Sequence, residues 1–278
     1  MTTLLDHIVI STRFEMDRAE AVFSGLGFTL TPRGKHSHGS LNHLMMFERD
    51  YLELVGIGKA DAHKRPEIAN APLGLNGLVF KTDDADKTFA RLEALGMAEA
   101  PPRSFSRPVT LDDGLSSDAA FRTVSARRDI FPAGRLYFCE HLTPELIWRS
   151  EWQTHGNGVT EFRELVLVTP SPGEQAASLA NLLEGEVQDA PRGGVKITIG
   201  SEFQLTFLTR GEYAARFKDM ARSGEGREVF LGALGLHSGS IKSLENFTAD
   251  NPDLRIARSD AGLSIAIDVF DTLFLFDI

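Results

Sequence analysis

Apolar and polar residues alternate through LLDHIVIST at residues 4–12, which predicts a strand. In RFEMDRAEAVFSGLGF the apolar positions Ala19, Val22, Phe23 and Leu26 switch to helical spacing, and Gly27 is placed to stop the helix. Three short extended runs follow: FTLTP, SLNHLMMF and DYLELVGI. The same order begins again at GLNGLVFKTDD, with helix ADKTFARLEALGM and later strands RPVTLDD, AAFRTVSAR and GRLYFCEH. A third copy opens at FRELVLVTP, with helix GEQAASLANLLEG and strands GGVKITIG and SEFQLTFLT. A fourth, degraded copy is expected from LHSGSIKS, through a short helical piece around SLENF, to LSIAIDVF and TLFLFD.

The offsets support repetition. His7 to Gly27 is 20 residues, Gly77 to Gly96 is 19, and Glu164 to Gly185 is 21. Equivalent first-strand positions are therefore expected at His7, Gly77, Glu164 and Ser238. The expected fold class is α+β, built from four tandem βαβββ modules paired into two curved-sheet, cleft-forming halves. A four-strand unit leaves one sheet face bare, so pairing two units buries those faces. The expected halves are residues 1–150, with modules 1–56 and 74–148, and residues 158–278. In the connector RGEYAARFKDMARSGEGRE the first part reads as an extra helix.

The 278 residues carry 29 Lys+Arg against 39 Asp+Glu, a formal net charge of −10. That balance argues against nucleic acid, whose phosphates reward basic residues, and against an anionic membrane surface. No uncharged apolar run approaches the roughly 20 residues of a membrane span. MTTLLDHIVIST has no signal-peptide pattern, and the single cysteine excludes internal disulfides and multi-cysteine zinc sites; both fit a cytoplasmic protein. Phosphate-loop, dinucleotide-binding, HExxH and GxSxG motifs are absent from the sequence. Cys139, in an aromatic strand, reads as a small buried hydrophobe.

LDHIVI, His38-Gly39-Ser40-Leu41-Asn42 and Tyr51-Leu52-Glu53, in this order and spacing, resemble the vicinal oxygen chelate superfamily. The superfamily includes glyoxalase I, extradiol dioxygenases and bleomycin-resistance proteins. Within it the chain looks like the glyoxalase-like subfamily, strongly over 1–150 and weakly beyond. The resemblance implies a divalent cation in the cleft, held by residues of the first and last strands of each module. Carried over, those positions are His7, Glu53, Gly77 and His141, with Glu140 and Cys139 as the other donors on the last strand. Gly77 has no side chain to offer, a departure from the four-ligand glyoxalase I pattern. The expected metal ligands are therefore His7, Glu53 and His141, for Fe, Mn, Zn, Ni or Co, with two His and one carboxylate leaning toward Fe(II). Substrate would chelate the metal through vicinal oxygens, and the metal would stabilise an enediolate or similar oxyanion. Plainer roles compete: His7 could simply bond Asp6, and Glu53, flanked by Leu52 and Leu54, either faces the cleft or is exposed.

Asn42, on the parity of Leu44 and Met46, is placed at the cleft mouth as a substrate contact. His38 and Trp148 are also candidate substrate residues, each with an equal claim to a structural role. Arg107 and Arg122 could each clamp a carboxylate. A surface role is favoured for Arg107, and both roles are held open for Arg122. His36, His43 and His63 are read as surface. No catalytic base is assigned, His38 and Glu140 being the weaker candidates. In the second half Glu164 aligns with His7 and Thr206 with Glu53, so that half is expected to be a structural or dimerising partner without metal. The expected activity is that of a metal-dependent lyase, isomerase or dioxygenase on a small molecule; the competing reading is a metal-free binding protein of the bleomycin-resistance type. A homodimer fits either.

Overall fold

The computed structural model describes residues 3–110, 114, 116–248, 251–259 and 262–277. The first half runs β1 (Leu5–Arg13), α1 (Met16–Gly25), β2 (Gly34–Lys35), β3 (Ser40–Met46) and β4 (Tyr51–Ile57), then α2 (Pro66–Ala69), β5 (Gly74–Lys81), α3 (Ala85–Ala94), β6 (Arg103–Thr110), β7 (Ser116–Ser125) and β8 (Arg135–His141). The second runs β9 (Val159–Val168), α4 (Pro172–Leu183), β10 (Val187–Asp189), β11 (Val195–Ile199), β12 (Phe203–Leu208) and α5 (Arg210–Phe217), then β13 (Phe230–Ser238), α6 (Ile241–Thr248), β14 (Leu254–Ser259), β15 (Gly262–Ile267) and β16 (Thr272–Asp277).

The architecture is α+β. Each half is one eight-stranded sheet, ordered β2-β3-β4-β1-β5-β8-β7-β6 and β10-β11-β12-β9-β13-β16-β15-β14. The two orders match strand for strand, so each sheet is two βαβββ modules joined at their first strands: β1 pairs antiparallel with β5, and β13 with β9. The alternation seen in the sequence sorts the two faces. Ile8 and Ile10 turn to the convex face, His7 and Val9 to the concave one. The convex faces of both sheets and the helices α1 and α4 share one continuous core. Phe23 of α1 lies 6.1 Å from Phe270 and 6.0 Å from Phe274, ring centre to ring centre, which ties the halves together.

The first sheet curls until its edges meet: the Ser37 N–H donates to the Ser106 carbonyl at 2.9 Å. This closure turns the concave face of the first half into a nearly barrel-like cleft. The second concave face is filled from within. α5, capped by Thr209 and Glu212 in a reciprocal capping box, packs Tyr213 and Phe217 against Val166, Leu208 and Leu273.

Several sequence expectations are corrected. FTLTP is not a strand; Thr31 touches Leu44 only through its own N–H and hydroxyl, and the edge strand is the shorter β2. RPVTLDD starts too late: β6 begins at Arg103, and residues 111–113 lie outside the described residues. At the end of α4 the left-handed residue is Glu184, not Gly185. The fourth module is complete rather than degraded, and its first strand begins at Phe230, not at LHSGSIKS. Among the described residues no helix is long and apolar enough to cross a membrane.

Candidate active site

The cleft of the first half encloses about 550 Å³. Strand register decides which residues share its centre. His7 faces Val79 and Val9 faces Gly77 across the β1–β5 ladder, so the twofold relating the modules exchanges His7 with Gly77 and Val9 with Val79. Val9 pairs with Glu53 on β4, and Val79 pairs with Tyr137 on β8. Tyr137 is therefore the counterpart of Glu53, and the central row reads His7, Glu53, Gly77, Tyr137. His141 lies four residues, two pleat repeats, further along β8. At Gly77 any Cβ would come within 2.8 Å of the Val9 Cβ, so this position has no room for a donor unless Val9 shifts.

His7 is held from behind. Its Nδ1 is 2.5 Å from Asp6 Oδ1; a carboxylate only accepts, so Nδ1 carries a proton and Nε2 is the ring nitrogen turned into the cleft. That Nε2 is 3.1 Å from the Tyr137 hydroxyl and 3.5 Å from Glu53 Oε2. The imidazole stacks on Tyr51 with ring centres 4.4 Å apart. Glu53 is oriented in the same way from its other oxygen, where Asn42 Nδ2 donates to Oε1 at 2.7 Å. His7, Asn42 and Glu53 are all buried.

Beneath this pair His141 Nε2 donates to both oxygens of Asp6 at 3.1 Å. Burial alone would raise the Asp6 carboxyl, but His141 and His7 overcome it and hold the group well below the usual carboxylate range. Asp6, Cys139 and His141 place one donor atom each within 4.8 Å of one another, a second grouping able to hold a cation. Burial pushes the Cys139 thiol and the Tyr137 hydroxyl upward, so both stay protonated at neutral pH.

Of the expected ligands, His7 and Glu53 meet, whereas His141 is directed to Asp6. Glu140 is on the opposite face, accepting from the Ala85 N–H at the start of α3. Asn42 lines the cleft through Glu53, and His38 is at the exposed rim. Trp148 packs behind the cleft, 4.8 Å from the His141 ring and 5.8 Å from Tyr51. Arg122 is turned away from the cleft and pairs with both Asp86 oxygens at 2.8 Å.

Three expectations about surface residues are corrected. Arg107 is buried in the cleft, on the face of β6 shared with Phe105. His36 lines the cleft, its Nδ1 2.9 Å from the Ser40 hydroxyl. Burial pushes its imidazole down to about 4, Glu53 opposing and Arg107 assisting. His43 is buried and donates from Nδ1 to the Thr31 carbonyl at 2.8 Å. Tyr137 was passed over entirely; its signal was its place in YFCEH, two residues before Cys139 on the cleft parity.

A family model described as a glyoxalase-like domain matches residues 5–183, which reaches past the expected boundary near 150 into β9 and α4. No curated protein matches the chain. Among solved structures the chain is similar to a hypothetical protein from Staphylococcus aureus, with TM-score 0.67 and 9% identity over 99% of each chain. It is also similar to a mutant 4-hydroxymandelate synthase from Streptomyces coelicolor, with TM-score 0.56 and 11% identity over 99% of this chain and 92% of that one. A xylose isomerase-like TIM barrel/4-hydroxyphenylpyruvate dioxygenase fusion protein aligns with TM-score 0.56 and 10% identity over 99% of this chain and 49% of its own. At these identities the likenesses describe the fold.

Proposed function

The chain belongs to the glyoxalase-like domain family, and we propose that it is a divalent-metal-dependent enzyme of glyoxalase or dioxygenase type acting on a small molecule in the first-half cleft, with His7 and Glu53 as the metal ligands. One observation carries this reading: His7 Nε2 and Glu53 Oε2 converge to 3.5 Å while Asp6 and Asn42 hold their opposite ends. A histidine whose other ring N–H goes to a carboxylate, beside a carboxylate that is itself hydrogen-bonded, is the arrangement metal ligands take. The donor set fits Fe, Mn, Zn, Ni or Co and leaves positions for two adjacent substrate oxygens. A cation bound there supplies a Lewis acid to an oxyanion on the substrate.

The protein's own residues supply the rest. Asp6, charged at neutral pH and flanked by two imidazoles, keeps the His7 proton on Nδ1. In this reading His141 is a positioning residue that acts through Asp6. Asn42 fixes the Glu53 rotamer. The Tyr137 hydroxyl, 3.1 Å from His7 Nε2 and kept protonated by burial, is within reach to donate to a substrate oxygen. Phe105 and Phe121, stacked 5.2 Å apart, form an apolar wall that limits water. Residues 158–278 serve as a scaffold whose convex face completes the core behind the cleft.

A metal-free binding protein is the second reading, favoured by Gly77 and Tyr137 at two of the four central positions. Metal analysis of the purified native chain, His7→Ala and Glu53→Gln separates the two. The metal reading expects about one equivalent of metal in the native chain and loss in both variants; equal content in all three overturns it.

A further inference from the structure

Arg107 has only 3% of its surface exposed, yet among the described residues its Nε and Nη2 have no hydrogen-bond partner. It lines the same cleft as His7 and Glu53. The fold makes room for it deliberately: a Cβ on Gly34, across the β2–β6 seam, would come within 3.0 Å of the Arg107 Cδ and 2.3 Å of the Asn42 Oδ1. The carboxylate that offsets its charge is Glu53, and Glu53 already accepts from Asn42. A buried cation without a partner is expensive, which makes it a receptor for a charge brought from outside. The surroundings agree. Five arginines and three glutamates line the cleft of a chain whose net charge is −10. Arg103 and Arg128, also lining the cleft, form no ion pair among the described residues, and Arg135 lies over the Tyr137 ring at 5.4 Å, a lining that favours an anionic guest.

We propose that Arg107 anchors the carboxylate of an organic acid whose apolar body lies against Phe105 and Phe121. Nε and Nη2 are the two parallel donors of a guanidinium edge and match the two oxygens of a carboxylate. The inference rests on the cleft being the substrate site and names the class of substrate it takes, an organic anion rather than a neutral molecule.

The test is calorimetric titration of the full-length chain, freed of metal with a chelator, using phenylacetate, its neutral amide phenylacetamide, and inorganic phosphate. The native chain should bind phenylacetate at least ~10-fold more tightly than the amide, as expected for a charge-assisted pair. Arg107→Gln should abolish that preference, and Arg107→Lys should restore only part of it, because ammonium lacks the fork. Without ligand, Arg107→Gln should melt ~2–4 °C higher than the native chain, since an unpaired buried charge has been removed. Three results would overturn the proposal: no preference for phenylacetate over the amide in the native chain, a lower melting temperature for unliganded Arg107→Gln, or tighter binding of phosphate than of phenylacetate. Because the titration is metal-free, it can succeed while the metal content of His7→Ala refutes the metal reading, or the reverse.

Discussion

The two halves of the chain start from one topology and use its concave face in opposite ways. In the first half His7 and Glu53 meet in an open cleft. In the second, register places Glu164 and Thr206 at the same two positions, since Val166 pairs with Thr206 as Val9 pairs with Glu53. They too touch, the Thr206 hydroxyl donating to Glu164 Oε1 at 2.6 Å. There, however, α5 enters the cleft, and Arg216 grips both Glu164 oxygens at 3.0 and 2.6 Å. A guanidinium stands at the counterpart of the cation site proposed for the first half, and Tyr213 and Phe217 fill the remaining space. The comparison teaches that the cleft is a by-product of pairing two modules, and that function follows from whether the chain plugs it. Among the described residues the buried Arg107 of the first half has no hydrogen-bond partner at Nε or Nη2, whereas the half-buried Arg216 of the second is paired with Glu164.

The plug should be the most costly thing to remove. Tyr213 is 1% exposed and bonds both the Gly232 carbonyl and the Arg222 N–H. Tyr213→Ala should lower unfolding free energy by about 3–5 kcal/mol in urea titrations; a cost under about 1 kcal/mol would mean that α5 is a loose cover. Next comes Glu164→Ala, which leaves the half-buried Arg216 without its carboxylate and should cost about 2 kcal/mol. The contrast with Arg107→Gln, expected to stabilise, is the sharpest test of the difference between the halves. A stable Glu164→Ala would erase it.

In the open half the effects should fall on ligand affinity. Asn42→Ala leaves Glu53 unoriented and should weaken divalent-metal binding ~10–100-fold, measured by competition with a chromophoric chelator; unchanged affinity would remove Asn42 from the site. The smallest effect concerns pH. His36 is held neutral, with its pKa pushed down from 6.5 to about 4 by burial. Between those values the unfolded chain binds more protons than the folded one, so stability is full above about 6.5 and declines as pH falls toward 4. His36→Gln should flatten that decline in thermal melts taken across the window, and an identical slope in both proteins would show that His36 titrates normally.

How far the sequence revealed this follows from the range of each interaction. The modules were legible because alternation in LDHIVIST and YLELVGI and the helical spacing of Ala19, Val22 and Phe23 are local signals. Parity placed Asn42 toward the cleft, but it left Glu53 open between cleft and solvent and could only set Glu140 and His141 on opposite faces, because a strand has just two. Parity does not set register. Tyr137, Cys139 and His141 share one face, and only the β5–β8 ladder shows that Tyr137 is opposite Val79. Arg107 was harder still. In RSFSRPVT it looks like any exposed strand arginine, and its burial depends on β2 and β6 meeting across a seam some 70 residues apart. The helix in RGEYAARF was readable from its pattern, but its destination inside the second cleft was not.

Anomalous diffraction from crystals grown with a divalent transition metal tests the central claim most directly. The account predicts one peak at about 2.0–2.2 Å from both His7 Nε2 and a Glu53 oxygen, with the second-half cleft empty of metal. A peak among Asp6, Cys139 and His141, or none in the first-half cleft, would contradict it.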